Sequence, residues 1–318
     1  MHFKIPILLI IWKRPKVTLK LLQVLKKLKP SNIYIACDGP KQNDYENTEK
    51  VKLTRELVEK EINWTKDIKT LYSDINLGCK YGVSNAITWF FENESEGIIL
   101  EDDCIPHLDF FVYCENLLHK FKDDERVWCI SGSNHLGKSI GKSSYFFSRY
   151  NHCWGWASWR RCWEKYDVEM SLWPEYEASK LLESNFSDKK EYNYWKSFFN
   201  KFYNDGCSNT WDYQWFFCSL INQGLTAIPN QNLIDNIGFG ADSTHTKKGK
   251  SPIKLLNQIK NKSGILPIIH PKFVVRSASA DKFLEISNFS GPYFLSKMWF
   301  KKYIKKILNK ILIFRDLF

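Results

Sequence analysis

Glu101, Asp102 and Asp103 follow one another directly, after the apolar run Gly97-Ile98-Ile99-Leu100 and before Cys104-Ile105-Pro106. Three adjacent carboxylates repel each other, so a fold that keeps them together needs a cation to offset them. Hard divalent cations take oxygen ligands, and magnesium-type ions are held by one or two carboxylates plus the phosphates of a substrate. A short apolar run closed by acids reads as a buried strand. In an open α/β sheet such a strand delivers its last residues to the edge where ligands bind.

Other residues of the right chemistry recur along the chain. Arg14-Pro15 follows a first apolar run, Asp38-Gly39-Pro40 follows a second, and Asp74-Ile75-Asn76-Leu77-Gly78 precedes Lys80 and a helical pattern. A turn running from a strand into a helix offers backbone N–H groups to phosphate. Later come Trp154-Gly155-Trp156-Ala157-Ser158-Trp159 and the triplet Trp211-Asp212-Tyr213. Trp154, Trp156 and Trp211 are candidates for the wall of a sugar site, with core packing as the alternative. Asp212 is the candidate general base, since one positioned carboxylate suffices to take a hydroxyl proton. Its other reading is an N-cap for a helix starting at Gln214; Asp188 and Asp205 are weaker rivals.

The elements that must position these groups alternate. Pro6–Ile11 reads as a central parallel strand covered on both faces, Val17–Leu28 as an amphipathic helix, and Asn32–Cys37 as a second strand ended by the Asp38-Gly39-Pro40 turn. Asn47–Glu61 is a charged helix, Ile68–Tyr72 a third strand, Lys80–Phe91 a helix and Gly97–Leu100 the strand bearing the acids. Further elements are expected at Phe110–Phe121, Val127–Ser131, Tyr145–Ser148, Gln214–Asn222 and Leu225–Pro229. Strands alternating with helices predict a mostly parallel, Rossmann-like α/β sheet flanked by helices. No G-x-G-x-x-G follows the first strand, so a dinucleotide cofactor is not expected.

Composition narrows the class. The chain has 318 residues, 44% hydrophobic and 16% aromatic, with 13 tryptophans, so it supports a large core. Its net charge of +11 suits anionic partners. No zinc-finger, RNA-binding or helix-turn-helix signature accompanies it, so nucleic acid is not the expected partner. Nine cysteines without a C-x-x-C read as reduced thiols. Lysines interleave with apolar residues from Tyr293 to Leu312, as in a helix that lies in an anionic membrane interface. The expected location is therefore cytoplasmic, at the inner face of the cell membrane.

Taken in order, Arg14-Pro15, Asp38, Asn76-Leu77-Gly78 with Lys80, Ile-Leu-Glu-Asp-Asp at 99–103 and Trp211-Asp212 resemble the GT-A fold of nucleotide-sugar glycosyltransferases. The pattern looks most like the N-acetylglucosaminyltransferase I-type group and related family 2 bacterial enzymes. The resemblance spans roughly residues 5–245. It implies a metal-dependent, inverting transfer of a sugar, from a UDP-sugar by preference, to a glycan acceptor of the lipid-linked, lipopolysaccharide or capsule type. It implies that Asp103 holds manganese or magnesium, that Asp102 and Glu101 contact ribose or sugar, and that Asp38 reads the base or ribose. Arg14, Asn76, Gly78 and Lys80 would face the donor, and His245 would reach the metal or diphosphate. The expected organisation is a glycosyltransferase domain at 1–246 (donor half 1–131, acceptor half 132–246), a basic linker at 247–292 and the membrane-associating helix at 293–318. The competing readings are a sugar-nucleotide nucleotidyltransferase and a non-catalytic, basic membrane-surface module. The first counts on a glycine-rich loop after strand one, where this chain reads Trp12-Lys13-Arg14-Pro15.

Overall fold

The computed structural model describes residues 3–207, 209–238 and 264–289. His245, the basic stretch 247–262 and the amphipathic segment from Tyr293 lie outside the described residues.

The first half alternates as the pattern predicts: β1 (Ile7–Ile11), α1 (Pro15–Leu28), β2 (Ile33–Cys37), α2 (Tyr45–Glu61), β3 (Ile68–Tyr72), α3 (Gly78–Asn93) and β4 (Glu96–Glu101). Each start has a local cause. Pro15 fixes the backbone at the first turn of α1, and Asp44 caps α2 by accepting from the backbone N–H of Asn47 at 3.0 Å. β1, β2 and β4 are almost wholly buried, which is why their sequences run apolar without alternation.

The second half is less regular. It contains β5 (Cys104–Pro106), α4 (Leu108–Phe121), β6 (Val127–Ser131), β7 (Tyr145–Ser148), β8 (Trp156–Trp159), α5 (Arg160–Trp163), α6 (Trp173–Ala178), a 3-10 turn at Leu181–Asn185, α7 (Lys189–Asn204), α8 (Asp212–Ile221), β9 (Leu225–Pro229), β10 (Ile234–Asn236) and α9 (Ala278–Leu284).

Eight strands form one sheet in the order β3-β2-β1-β4-β8-β6-β9-β7, and β5 pairs with β10 in a small second sheet. β1 pairs in parallel with both β2 and β4. The order therefore reverses between β1 and β4, the position where open α/β sheets bind ligands. β8 runs antiparallel between β4 and β6, so it enters the middle of the sheet against the grain. Its four residues, Trp156-Ala157-Ser158-Trp159, are all buried, and no alternation marks them as a strand.

Two aromatic-rich cores lie on the sheet. The larger surrounds β1, β2, β4 and β6, and the second gathers Phe146, Tyr150, Trp173, Trp195, Phe199 and Phe217 around α7. α8 and Trp211 before it join them: Trp211, Trp215 and Cys218 face the first, while Phe216, Phe217 and Leu220 face the second. Among the described residues eight tryptophans are buried, so most of the tryptophan content is packing. All nine cysteines are free thiols.

Candidate functional site

A cavity of about 540 Å³ opens at the C-terminal edge of the sheet, beside the β1–β4 reversal. Trp12, Tyr72, Leu77 and Trp154 supply apolar wall. Four carboxylates line it (Asp38, Glu101, Asp102 and Asp103) against two cations, Arg14 and Lys41.

The register explains the acid cluster. Ile10 of β1 sits beside Glu101 of β4, so the residues beyond each strand emerge together. Arg14 then reaches across. Its Nε donates to Asp102 Oδ2 at 3.1 Å, its Nη2 bonds Asp102 Oδ1, and the same Nη2 lies 2.9 Å from Asp103 Oδ2. Burial alone would lower the Arg14 pKa; the paired Asp102 and then Asp103 outweigh it and hold it above its ordinary value. One guanidinium does not balance three acids. Burial, then the charges of Asp103 and Asp102, push the Glu101 pKa up to about 8. Asp102 is also raised, by burial working against Arg14. Asp103 meets the backbone of Gly238 so closely that a Cβ there would fall 2.0 Å from its Oδ2. Only glycine admits that contact.

Among the described residues, no three His, Cys, Asp or Glu side chains converge on a metal-binding point. The donor set nevertheless fits a divalent cation brought with phosphates: adjacent hard oxygens, in excess of the positive charge beside them, with one or two carboxylates available.

Asp38 has a different environment. Its Oδ1 accepts from the N–H groups of Gly39 and Leu77, both at 2.8 Å, and its Oδ2 accepts from Gly78 N at 3.0 Å and Asn76 Nδ2 at 2.9 Å. A carboxylate has about four acceptor positions, and here four donors take them. Asp38 lines the cavity, yet its bonds pin the turn that starts α3. Asn76 spends its amide on Asp38 and on the Gly39 carbonyl, 2.9 Å away. Gly78 takes φ +75°, which glycine permits. The first N–H groups of α3 were expected to face phosphate. Leu77 N and Gly78 N instead bond Asp38, and Lys80 N donates to Asn209 Oδ1 at 3.2 Å.

Lys80 runs against expectation. Its buried ammonium bonds Glu169 at 2.7 Å and the Gly206 carbonyl at 3.3 Å, and it does not line the cavity. It ties α3 to the second half of the chain because that is where its long stem finds a partner.

Of the acceptor-side aromatics, Trp154 lines the cavity and the other two do not. Trp156 and Trp211 are buried and stack on each other at 5.7 Å, inside the core. Asp212 is the first residue of α8 and accepts from the Thr210 hydroxyl and from Tyr213 N. It is half-buried and is not among the residues lining the cavity, yet it lies near enough for its charge to raise Glu101, Cys79 and Cys153.

Sequence reasoning missed Trp12, Lys41, Asn209, Asn236 and Gly238, all on the cavity. Lys41 carries a signal, lying three residues after Asp38. Asn209 and Asn236 carry none, because their part depends on contacts with segments more than 100 residues away.

Neither a protein-family model nor a curated protein matches the chain. Solved structures do superpose on part of it. HddC from Yersinia pseudotuberculosis is 12% identical, with 54% of this chain and 86% of that one covered and a TM-score of 0.30. The 4-diphosphocytidyl-2C-methyl-D-erythritol synthase of Anaerococcus prevotii is 11% identical, over 63% and 85%, with a TM-score of 0.31. The inositol-1-phosphate CTP transferase of T. maritima is 11% identical, over 82% and 98%, with a TM-score of 0.36. Likenesses of this size carry no argument about chemistry. The fold itself is an α/β architecture with a large, mostly parallel sheet flanked by helices.

Proposed function

We propose that this chain is a metal-dependent glycosyltransferase that moves a sugar from a nucleotide-diphosphate donor to a hydroxyl of a glycan acceptor. One observation carries the reading: three consecutive carboxylates, matched by a single guanidinium, face a largely apolar cavity at the point where the strand order reverses. Such a site suits a ligand that is apolar and aromatic at one end and phosphorylated, with a cation, at the other.

Asp103 and Asp102 would hold a magnesium or manganese ion, which when bound neutralises charge on the leaving nucleotide diphosphate. Arg14 keeps those two carboxylates in place and adds fixed positive charge. Trp12 and Tyr72 supply apolar surface for the base, and Lys41 a cation at the rim. The acceptor oxygen attacks the anomeric carbon. The bond from that carbon to the phosphate oxygen breaks, and its electron pair leaves with the nucleotide. The hydroxyl proton passes to Asp212, and attack from the face opposite the leaving group inverts the anomeric centre. Trp154 offers the acceptor sugar an aromatic face. A UDP-sugar donor and a lipid-linked or lipopolysaccharide-type acceptor remain part of this proposal.

A sugar-nucleotide nucleotidyltransferase would use a similar sheet and similar acids, but the turn after β1 contains no glycine and its arginine is committed to Asp102 and Asp103. The product separates the two readings. Incubation with a panel of nucleotide sugars and manganese should release nucleoside diphosphate and raise the melting temperature by linkage. Pyrophosphate release from a nucleoside triphosphate and a sugar phosphate would sink the transferase reading in favour of the rival. No response to any nucleotide would sink both and leave the non-catalytic module.

A further inference from the structure

We propose that residues 264–276 form a docking face for an anionic lipid surface, whichever reaction the cavity catalyses. This segment lies along β7, the edge strand of the eight-stranded sheet. Ser144 N donates to the Ile269 carbonyl at 2.7 Å, Ile269 N donates to Ser144 Oγ at 2.9 Å, and Ser277 N donates to the Phe147 carbonyl at 2.7 Å. Asp281 anchors the far end, accepting from Ser148 Oγ at 2.6 Å, Arg149 Nε at 3.2 Å and Arg276 Nη1 at 3.1 Å. The strap is therefore fixed to the fold, and its inner residues Ile265, Ile268 and Val274 pack on the main core.

Its outer residues have no such cover. Leu266, Ile269, Phe273 and Val275 are exposed, the last two at 67% and 68%. With Phe283 and Ile286, six of the fifteen exposed large hydrophobic side chains among the described residues fall between 264 and 289. Single exposed apolar residues need no explanation, but a concentration on one short segment marks a contact surface.

Charge identifies the occupant. Residues 264–276 contain no acid and two cations, Lys272 and Arg276. Lys272 Nζ stands 5.4 Å from the Phe273 ring, and Lys138 Nζ stands 4.6 Å from the Phe283 ring. Apolar side chains interleaved with lysines match the boundary of an anionic bilayer, where rings and aliphatic chains enter the headgroup region and ammonium groups meet phosphates. A second copy of this chain would bring the same positive charge to the contact.

Co-sedimentation of the full chain with vesicles tests the proposal. Binding should be strong to phosphatidylcholine mixed with phosphatidylglycerol, weak to phosphatidylcholine alone, and reduced by salt. The double variant Phe273→Ser/Val275→Ser should lose about tenfold or more in partitioning, from two apolar side chains removed, while the melting temperature stays unchanged. Phe273→Leu, which keeps apolar area, should retain binding. The proposal is overturned if wild type ignores anionic vesicles, if the double variant binds as well as wild type, or if Phe273→Leu loses as much as the double variant. It is equally overturned if light scattering shows a dimer that the double variant breaks.

Discussion

Asp38 and the Glu101-Asp102-Asp103 cluster stand at the same edge of one sheet, beyond strands separated only by β1. Both line the cavity, and the sequence pattern predicts a ligand contact for both. Their partners differ. Asp38 has four hydrogen-bond donors for one carboxylate. The cluster has one guanidinium for three, and burial, then the charges of Asp103 and Asp102, raise the Glu101 pKa. A satisfied acid holds structure, whereas an under-compensated group of acids is kept at a cost to stability that a bound cation would offset. The supply of partners, more than residue type or position, separates the scaffold from the chemistry.

That contrast can be broken by experiment. The largest effect should come from Asp212→Asn, with a loss of about 10²–10⁴ in transfer rate and unchanged donor-induced stabilisation; a variant that still transfers would remove Asp212 as the base. Asp103→Ala should abolish the melting-temperature rise given by nucleotide diphosphate with manganese, yet leave the unliganded protein as stable as wild type or more so. Asp38→Ala should do the reverse. It leaves three backbone N–H groups without their acceptor and costs about 3 kcal/mol, read by urea unfolding; a stable variant with lost nucleotide binding would return Asp38 to the ligand.

Smaller effects sharpen the same point. The Glu101 carboxyl titrates up to about 8 in the fold against 4.5 ordinarily, because burial and then Asp103 and Asp102 disfavour its charge. The folded state holds this proton to higher pH than the unfolded chain does. Its contribution to stability is thus full below pH 4.5 and is lost as pH rises through about 8. In chelator-treated protein, melting temperature should fall across that window and fall less in Glu101→Gln. Equal slopes would mean that the fold does not raise the Glu101 pKa. Gly78→Ala, at φ +75° and with a Cβ 2.9 Å from Asn209 Oδ1, should cost about 1–2 kcal/mol.

The sequence alone determined the alternating first half, because burial on both faces of β1, β2 and β4 leaves continuous apolar runs, and amphipathic periods mark α1 and α3. It also located the acids, since a strand end is a local feature. β8 was not legible, because four buried residues among tryptophans have neither the length nor the alternation of a strand. Nor were the roles of single side chains. That Asp38 and Asn209 occupy the start of α3, that Lys80 leaves the cavity for Glu169, and that Trp156 stacks on Trp211 all depend on which segments meet across 39 to 129 residues of chain. Hydrogen-bond satisfaction is decided by those meetings. Tertiary structure therefore distinguished the acid whose acceptor positions are filled from the acids left under-compensated.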